Sequence, residues 1–218
     1  MALQDRLDAF KANFQKQAPA DAQAVMAQAT DDLRASGILE RTIQVGDRVP
    51  DFALENQNGE TVTLAALRER GPVVVSFFRG IWCPYCNLEV AALAQARDAI
   101  EAAGASLVVV APQLPEHARA TFEKHGGKVD VLVDAGNDFA RQLGLVFALP
   151  AALREVYTAF DILLPRFNGD ESWELPMPAR LVIDADGILV DADINPDYTV
   201  RPDPAETVAA VKRLTAAA

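Results

Sequence analysis

Large apolar residues fall every three or four positions through Leu3, Leu7, Phe10 and Phe14, and again through Val25, Met26, Ala29 and Leu33. A period near 3.6 predicts two amphipathic helices. Ala18, Pro19 and Ala20 break the first helix, Asp21 opens the second as its N-cap, and Gly37 stands where a helix C-terminus needs a left-handed residue. Residues 1–44 therefore read as a helical N-terminal extension. Its apolar stripe must be covered by its own domain or by a second subunit, which leaves a homodimer open.

After Pro50 the period changes. Phe52 and Leu54 alternate with polar residues, Asn58-Gly59 supplies a turn, and Val62 and Leu64 resume the alternation, so a β-hairpin is expected. The core then alternates between element types. Residues 73–78 are an apolar run, 84–103 a helical pattern ended by Gly104, 107–110 a second run, 115–124 a helix and 129–133 a third strand. This βαβαβ order implies parallel strands buried on both faces and joined by right-handed crossovers. A short helix is expected over 138–143. An irregular, Pro-rich insertion follows over about 145–177, with Phe147, Tyr157, Phe160, Phe167 and Trp173 as bulk, either a lid or binding loop or a cover for the sheet edge. Residues 181–183 and 188–190 pair around Asp186-Gly187, and a helix over 204–214 closes the chain. The expected fold class is α/β: a central mixed sheet flanked by helices, with an N-terminal hairpin, in one domain over residues 45–218.

Charge and cysteine count narrow the function. With 20 basic against 31 acidic residues the net charge is -11, which repels phosphate backbones and anionic lipid, so neither nucleic acid nor membrane is an expected partner. Asp5, Arg6, Asp8, Lys11 and Lys16 interrupt any apolar stretch long enough for a signal peptide or span, and a cytoplasmic protein is expected. Cys83 and Cys86 are the only cysteines, and His117 and His125 lie on a later segment. That falls short of a four-ligand zinc site and of a disulfide framework, so no metal is expected and the pair itself carries the chemistry.

The pair sits where residues 73–78 give way to a helix. Free amides and the positive dipole at a helix N-terminus favour a thiolate at Cys83, lowering its pKa from about 8.5 into the range of roughly 3.5 to 7.5. Pro84 suits the first helical turn, where a missing N–H has no cost. Cys86, one turn in, is within reach for a disulfide and is expected to be the more covered sulfur, leaving Cys83 open to attack from outside.

Trp82-Cys83-Pro84-Tyr85-Cys86 after an apolar strand resembles the active-site corner of thioredoxins and glutaredoxins. The longer stretch from Phe78 through Arg79, Gly80 and Ile81 to Asn87, Leu88 and Glu89 resembles the peroxiredoxin-like branch of the alkyl hydroperoxide reductase C and thiol-specific antioxidant family. So do Gly46-Asp47-Arg48-Val49-Pro50-Asp51-Phe52 and the segment running from Asn168 through Trp173 to Pro178 and Ala179. The likeness begins near Val45 and leaves the extension outside. It implies a thioredoxin-like fold, no cofactor, a hydroperoxide or disulfide substrate, and an external dithiol reductant such as a thioredoxin or glutaredoxin. It also implies that Cys83 attacks and Cys86 resolves, that Trp82 and Tyr85 wall the site, and that Pro178, before the strand at 181–183, is a cis-proline facing the cysteines.

The chain departs from that family in two places. Typical peroxiredoxins carry Pro-x-x-x-Thr/Ser-x-x-Cys, whereas Ser76 and Gly80 stand seven and three positions before Cys83; their active-site arginine is matched here by Pro178. Arg79 or Arg180 is then the candidate cation. Three readings follow: a thiol peroxidase of modest rate, a thiol-disulfide oxidoreductase without significant peroxidase activity, and a redox-inert binding module that keeps the fold.

Overall fold

A computed structural model describes residues 2–216. Helices α1 (Leu3–Gln17) and α2 (Ala20–Ala35) meet at Ala18 and Pro19, and Gly37 leaves α2 at φ 68°. Pro19 rather than Asp21 is the N-cap of α2; Asp21 lies in the first turn, where its charge suits the helix dipole. Both helices pack on their own chain. Leu3 and Leu7 are buried in the main core against the helix that carries the cysteines, while Val25, Met26 and Ala29 lie on a satellite cluster.

The hairpin forms as β1 (Ala53–Glu55) and β2 (Thr61–Thr63), with Leu54 opposite Val62. Asn56 closes its turn by accepting the amides of Asn58 and Glu60 through Oδ1. Leu64 does not extend the hairpin: Thr63 caps α3 (Leu64–Arg68) by accepting the Ala66 amide at 3.1 Å. The core succession is then β3 (Val73–Phe77), α4 (Pro84–Ala102), β4 (Ser106–Ala111), α5 (Pro115–Lys124), β5 (Asp130–Val133) and α6 (Asp138–Gln142). Next come β6 (Val146–Ala148), α7 (Ala151–Ala159), α8 (Leu164–Asn168), β7 (Glu174–Pro176), β8 (Ala179–Ile183), β9 (Leu189–Ile194) and α9 (Pro204–Ala216).

Seven strands form one mixed sheet in the order β2-β1-β5-β4-β3-β8-β9. β3, β4 and β5 are parallel, and β8 runs antiparallel to β3 with Ser76 opposite Arg180. The period-2 geometry of strands sorts the apolar run between two cores. Val74 and Phe78 face the layer of α1, α4 and α9, whereas Val73, Val75 and Phe77 face the hairpin side with Phe139 and Leu143. Burial on both faces accounts for the nearly continuous apolar sequence of β3, interrupted only by Ser76. Ser76 and Arg180 are therefore polar side chains on the face covered by α4.

The expected irregular insertion is ordered. β6 and β7 pair as a separate two-stranded ribbon, and α7 and α8 between them bury Leu149, Leu153, Tyr157, Leu164 and Leu175 in the satellite core that α2 covers. Leu153 and Tyr157 are apolar anchors one helical turn apart on α7, and Leu164 opens α8 just before Pro165.

Candidate active site

The site begins where β3 ends. Phe78 donates its amide to Val110 across 3.0 Å, and the chain then turns tightly, with Cys83 N–H reaching back to Gly80 O at 3.1 Å. Gly80 holds φ 142°, a conformation that suits glycine. Gln113 takes the Ile81 amide at 2.9 Å, and Asn87 ties the Ile81 and Cys83 carbonyls with its side-chain amide at 2.6 and 2.9 Å. Cys83 is the N-cap of α4 and Pro84, exposed, its first residue.

Two arginines meet the two sulfurs. Arg79 donates from Nη2 to Cys83 Sγ at 3.1 Å and from Nη1 to the Tyr157 hydroxyl at 2.9 Å, while its guanidinium lies over the Tyr198 ring at 3.9 Å. Arg201 approaches Cys86 Sγ at 3.7 Å. Beneath them Glu89, 1% exposed, holds Arg180 at 2.6 Å and Arg201 at 2.5 Å, a buried triad on the α4 face of the sheet. Arg180 Nη1 donates to the Pro202 carbonyl and to Thr207, while its Nε has no hydrogen-bond partner among the described residues. Of the two candidate cations, Arg79 reaches the Cys83 sulfur.

These neighbours split the two thiols. Burial pushes Cys83 up, but the hydrogen bond from the Cys86 thiol and the charges of Arg79 and Arg201 outweigh it and hold its pKa well below the ordinary value. The Cys86 amide adds a smaller contribution without full hydrogen-bond geometry, so side chains do most of what the sequence assigns to the helix end. Cys86 moves the other way, raised well above its ordinary value by burial and by the Cys83 charge beside it. Burial and Cys83 likewise push the Tyr85 phenol up to about 12.

Two expectations fail. Cys83 is not the open sulfur: both cysteines are 0% exposed. Arg79, itself 3% exposed, and the rings of Trp82, Tyr157 and Tyr198 cover the corner, and α1 adds Phe10 against Tyr85. Pro178 is not cis, since the described residues contain no cis peptide bond. It is buried ahead of β8, with its carbonyl accepting the Asn195 amide at 3.2 Å, so it starts a strand, and the trans form is the ordinary preference of an X-Pro bond. Trp82 and Tyr85 do flank the cysteines. Phe167 packs on Trp82 at 6.4 Å between ring centroids, whereas Trp173 lies instead near Arg154.

Sequence reasoning misses Arg201, Glu89 as an ion-pair centre, and Tyr157 and Tyr198 as partners of Arg79. Glu89 carries one signal, an acid on the buried stripe three residues beyond Cys86. Arg201 lies 115 residues from Cys86, and no local pattern links them. Among the described residues no cluster of three His, Cys, Asp or Glu side chains is arranged to hold a metal ion, and no helix is long and apolar enough to cross a membrane.

Known proteins resemble this chain in both sequence and fold. Chloroplastic peroxiredoxin Q of Populus jackii is 27% identical over 103 residues, 47% of this chain and 48% of that protein. That of Sedum lineare is 28% identical over 127 residues, 57% and 67% of the two chains. The chain thus spans about half the length of several curated relatives that it matches. Peroxidoxin BcpB from Mycobacterium tuberculosis superposes with a TM-score of 0.61 at 22% identity, covering 79% of this chain and 97% of that one. A peroxiredoxin-like protein from Aquifex aeolicus gives 0.63 at 19% identity, covering 79% and 88%. The fold is thioredoxin-like, as in these peroxiredoxins. The model of the AhpC/TSA family matches residues 45–192, two thirds of the sequence and the whole of the cysteine corner, and the chain belongs to that family.

Proposed function

We propose that this protein is a thiol peroxidase that reduces hydroperoxides with Cys83 as the attacking thiolate and Cys86 as the resolving thiol. The observation that carries the reading is the 3.1 Å contact between Arg79 Nη2 and Cys83 Sγ. That contact supports the reading, because a cation beside this sulfur suits a nucleophilic thiolate and the negative charge that develops on a departing oxygen. The cation that most peroxiredoxins would draw from the position of Pro178 comes here from the strand-to-helix turn.

The steps balance. Cys83 thiolate attacks the terminal peroxide oxygen, the O–O bond breaks, Cys83 becomes a sulfenic acid, and the alkoxide takes the Cys86 proton to leave as alcohol. Cys86 thiolate then attacks the Cys83 sulfur, the S–S bond forms, and hydroxide leaves and takes a solvent proton. An external dithiol of the thioredoxin or glutaredoxin type, in a reducing compartment such as the cytoplasm, returns the disulfide to two thiols. A direct exchange with protein disulfides needs the cover over Cys83 to open for the oxidant as well, whereas the peroxidase reading needs that opening only when the external dithiol reduces the disulfide, since Cys83 is fully covered in the reduced protein. A peroxide is small enough to reach it. No hydroxyl stands at Gly80, so the expected rate is modest.

The test is hydroperoxide consumption by purified protein with a thioredoxin system. Cys83→Ser is expected to abolish turnover, and Cys86→Ser to stall at a sulfenic acid that dimedone traps. A wild-type rate equal to the blank would overturn the reading.

A further inference from the structure

Arg79, which touches Cys83 Sγ, also lines a cavity of about 240 Å³ that the peroxide reduction does not use and that neither cysteine lines. Met26, Ala29 and Leu33 of α2 form one wall, and Phe147, Leu153 and Tyr157 face them. Arg79 and Tyr198 form its inner end. The apolar wall on the α2 side lies entirely in the N-terminal extension, outside the residues 45–192 that define the family.

Arg79 gives this cavity a chemical direction. One of its terminal nitrogens is on Cys83 and the other on Tyr157, yet its Nε, on a side chain 97% buried, has no hydrogen-bond partner among the described residues. A buried N–H left without an acceptor is destabilising, and because Arg79 lines the cavity, a ligand oxygen brought against it there is the acceptor the proposal assigns to it. The remaining surroundings set what carries that oxygen. The walls are aliphatic and aromatic; Thr30 spends its hydroxyl on the Met26 carbonyl, and exposed Asp32 stands at the rim, which disfavours an anionic tail. The volume corresponds to about eight waters at roughly 30 Å³ each, room for a ring or a branched alkyl group but not for a long chain with two arms.

We propose that the cavity is a tail-binding pocket for compact, uncharged, aromatic or branched hydroperoxides, built by the N-terminal extension and ending on Arg79. The inference rests on the peroxidase reading. With the tail between α2 and α7, the peroxide oxygens lie toward Arg79 and the Cys83 sulfur, so binding of a non-reacting part of the substrate positions the reacting bond.

The experiment compares kcat/KM for cumene hydroperoxide, hydrogen peroxide and linoleic acid hydroperoxide in the full-length protein and in Ala148→Trp. Ala148 is an exposed position on the cavity lining, where a large ring fills the mouth without entering the main core. Cumene hydroperoxide is expected to be the best substrate, and its ratio to hydrogen peroxide to fall about tenfold in the variant, the scale of one lost apolar contact. An unchanged ratio, or a preference for the linoleic acid hydroperoxide, overturns the proposal. Binding of the product alcohol, 2-phenyl-2-propanol, read as protection of Cys83 from iodoacetamide, separates the two claims. Protection without peroxide turnover sinks the peroxidase and leaves the pocket; turnover without protection sinks the pocket and leaves the peroxidase.

Discussion

Phe10 stands edge-on to Tyr85, with ring centroids 5.1 Å apart and planes at 85°, so the first helix of the extension touches one of the two residues between the cysteines. An edge-to-face pair of this kind contributes about 0.5–1.5 kcal/mol beyond the area it buries. Phe10 is half-buried, so Phe10→Ala is expected to cost about 1–2 kcal/mol in urea unfolding, less than a core phenylalanine would. The same change removes cover from the cysteine corner. Iodoacetamide is expected to label Cys83 faster in the variant under native conditions, and an unchanged labelling rate would show that α1 does not guard the thiols.

Cys83 and Arg79 set the pH response. Because the folded pKa of Cys83 lies below its unfolded value near 8.5, its ionisation contributes stability fully present above about pH 8.5 and lost as pH falls through the folded value. Arg79→Met removes one of the charges that hold the pKa down. The midpoint of Cys83 alkylation against pH is expected to move upward in that variant, with Cys86→Ser as the background so that one thiol is read. A midpoint that stays in place would assign the depression to Arg201 and the helix amides.

The sheet was legible because its evidence is local. Residues 73–78 are apolar but for Ser76 since β3 is buried on both faces, and the strand-helix alternation to Val133 follows from composition and turn chemistry alone. α3 was missed because one cap, the Thr63 hydroxyl, converts what reads as a continuing strand into a helix. At the site, Cys83 and Cys86 announce themselves by spacing, and Arg79 by its nearness in sequence. Arg180 is marked only by its place beside the strand at 181–183; its pairing with Glu89, and Arg201 altogether, are not legible, because a buried charge is sustained by partners 91 and 112 residues away, and sequence periodicity carries no record of such pairs. Burial of Cys83 was equally invisible: its cover comes from α1, α7 and the loop bearing Tyr198.

Glu89 neutralises two arginines in the core, and its loss is expected to be felt by the fold before the chemistry. Glu89→Gln leaves Arg180 and Arg201 in the same low-dielectric layer without their carboxylate, a change that typically costs about 3–5 kcal/mol. Urea denaturation of the reduced protein measures this directly. Glu89→Asp, which keeps the charge on a shorter stem, is expected to recover part of the loss; an equal loss in both would point to geometry rather than charge.

Gly80 occupies the position where most peroxiredoxins carry a hydroxyl residue, yet restoring that hydroxyl is expected to harm this protein. The backbone there has φ 142°, in a region side chains rarely adopt, and a Cβ on it would lie 2.5 Å from the Trp82 indole nitrogen. Strain of that kind costs about 1–3 kcal/mol, and relieving it must shift Trp82, which packs edge-on to Tyr157 at 5.6 Å and lies 5.2 Å from the Arg79 guanidinium. The disturbance therefore passes to the group that holds the Cys83 sulfur. Gly80→Thr is expected to lower both the unfolding midpoint and the peroxidase kcat/KM, with altered tryptophan fluorescence. Gly80→Ala should do the same without any hydroxyl. If Gly80→Thr instead raised kcat/KM above wild type while Gly80→Ala lowered it, the turn would be tolerant and the missing hydroxyl, not Arg79 geometry, would limit the rate.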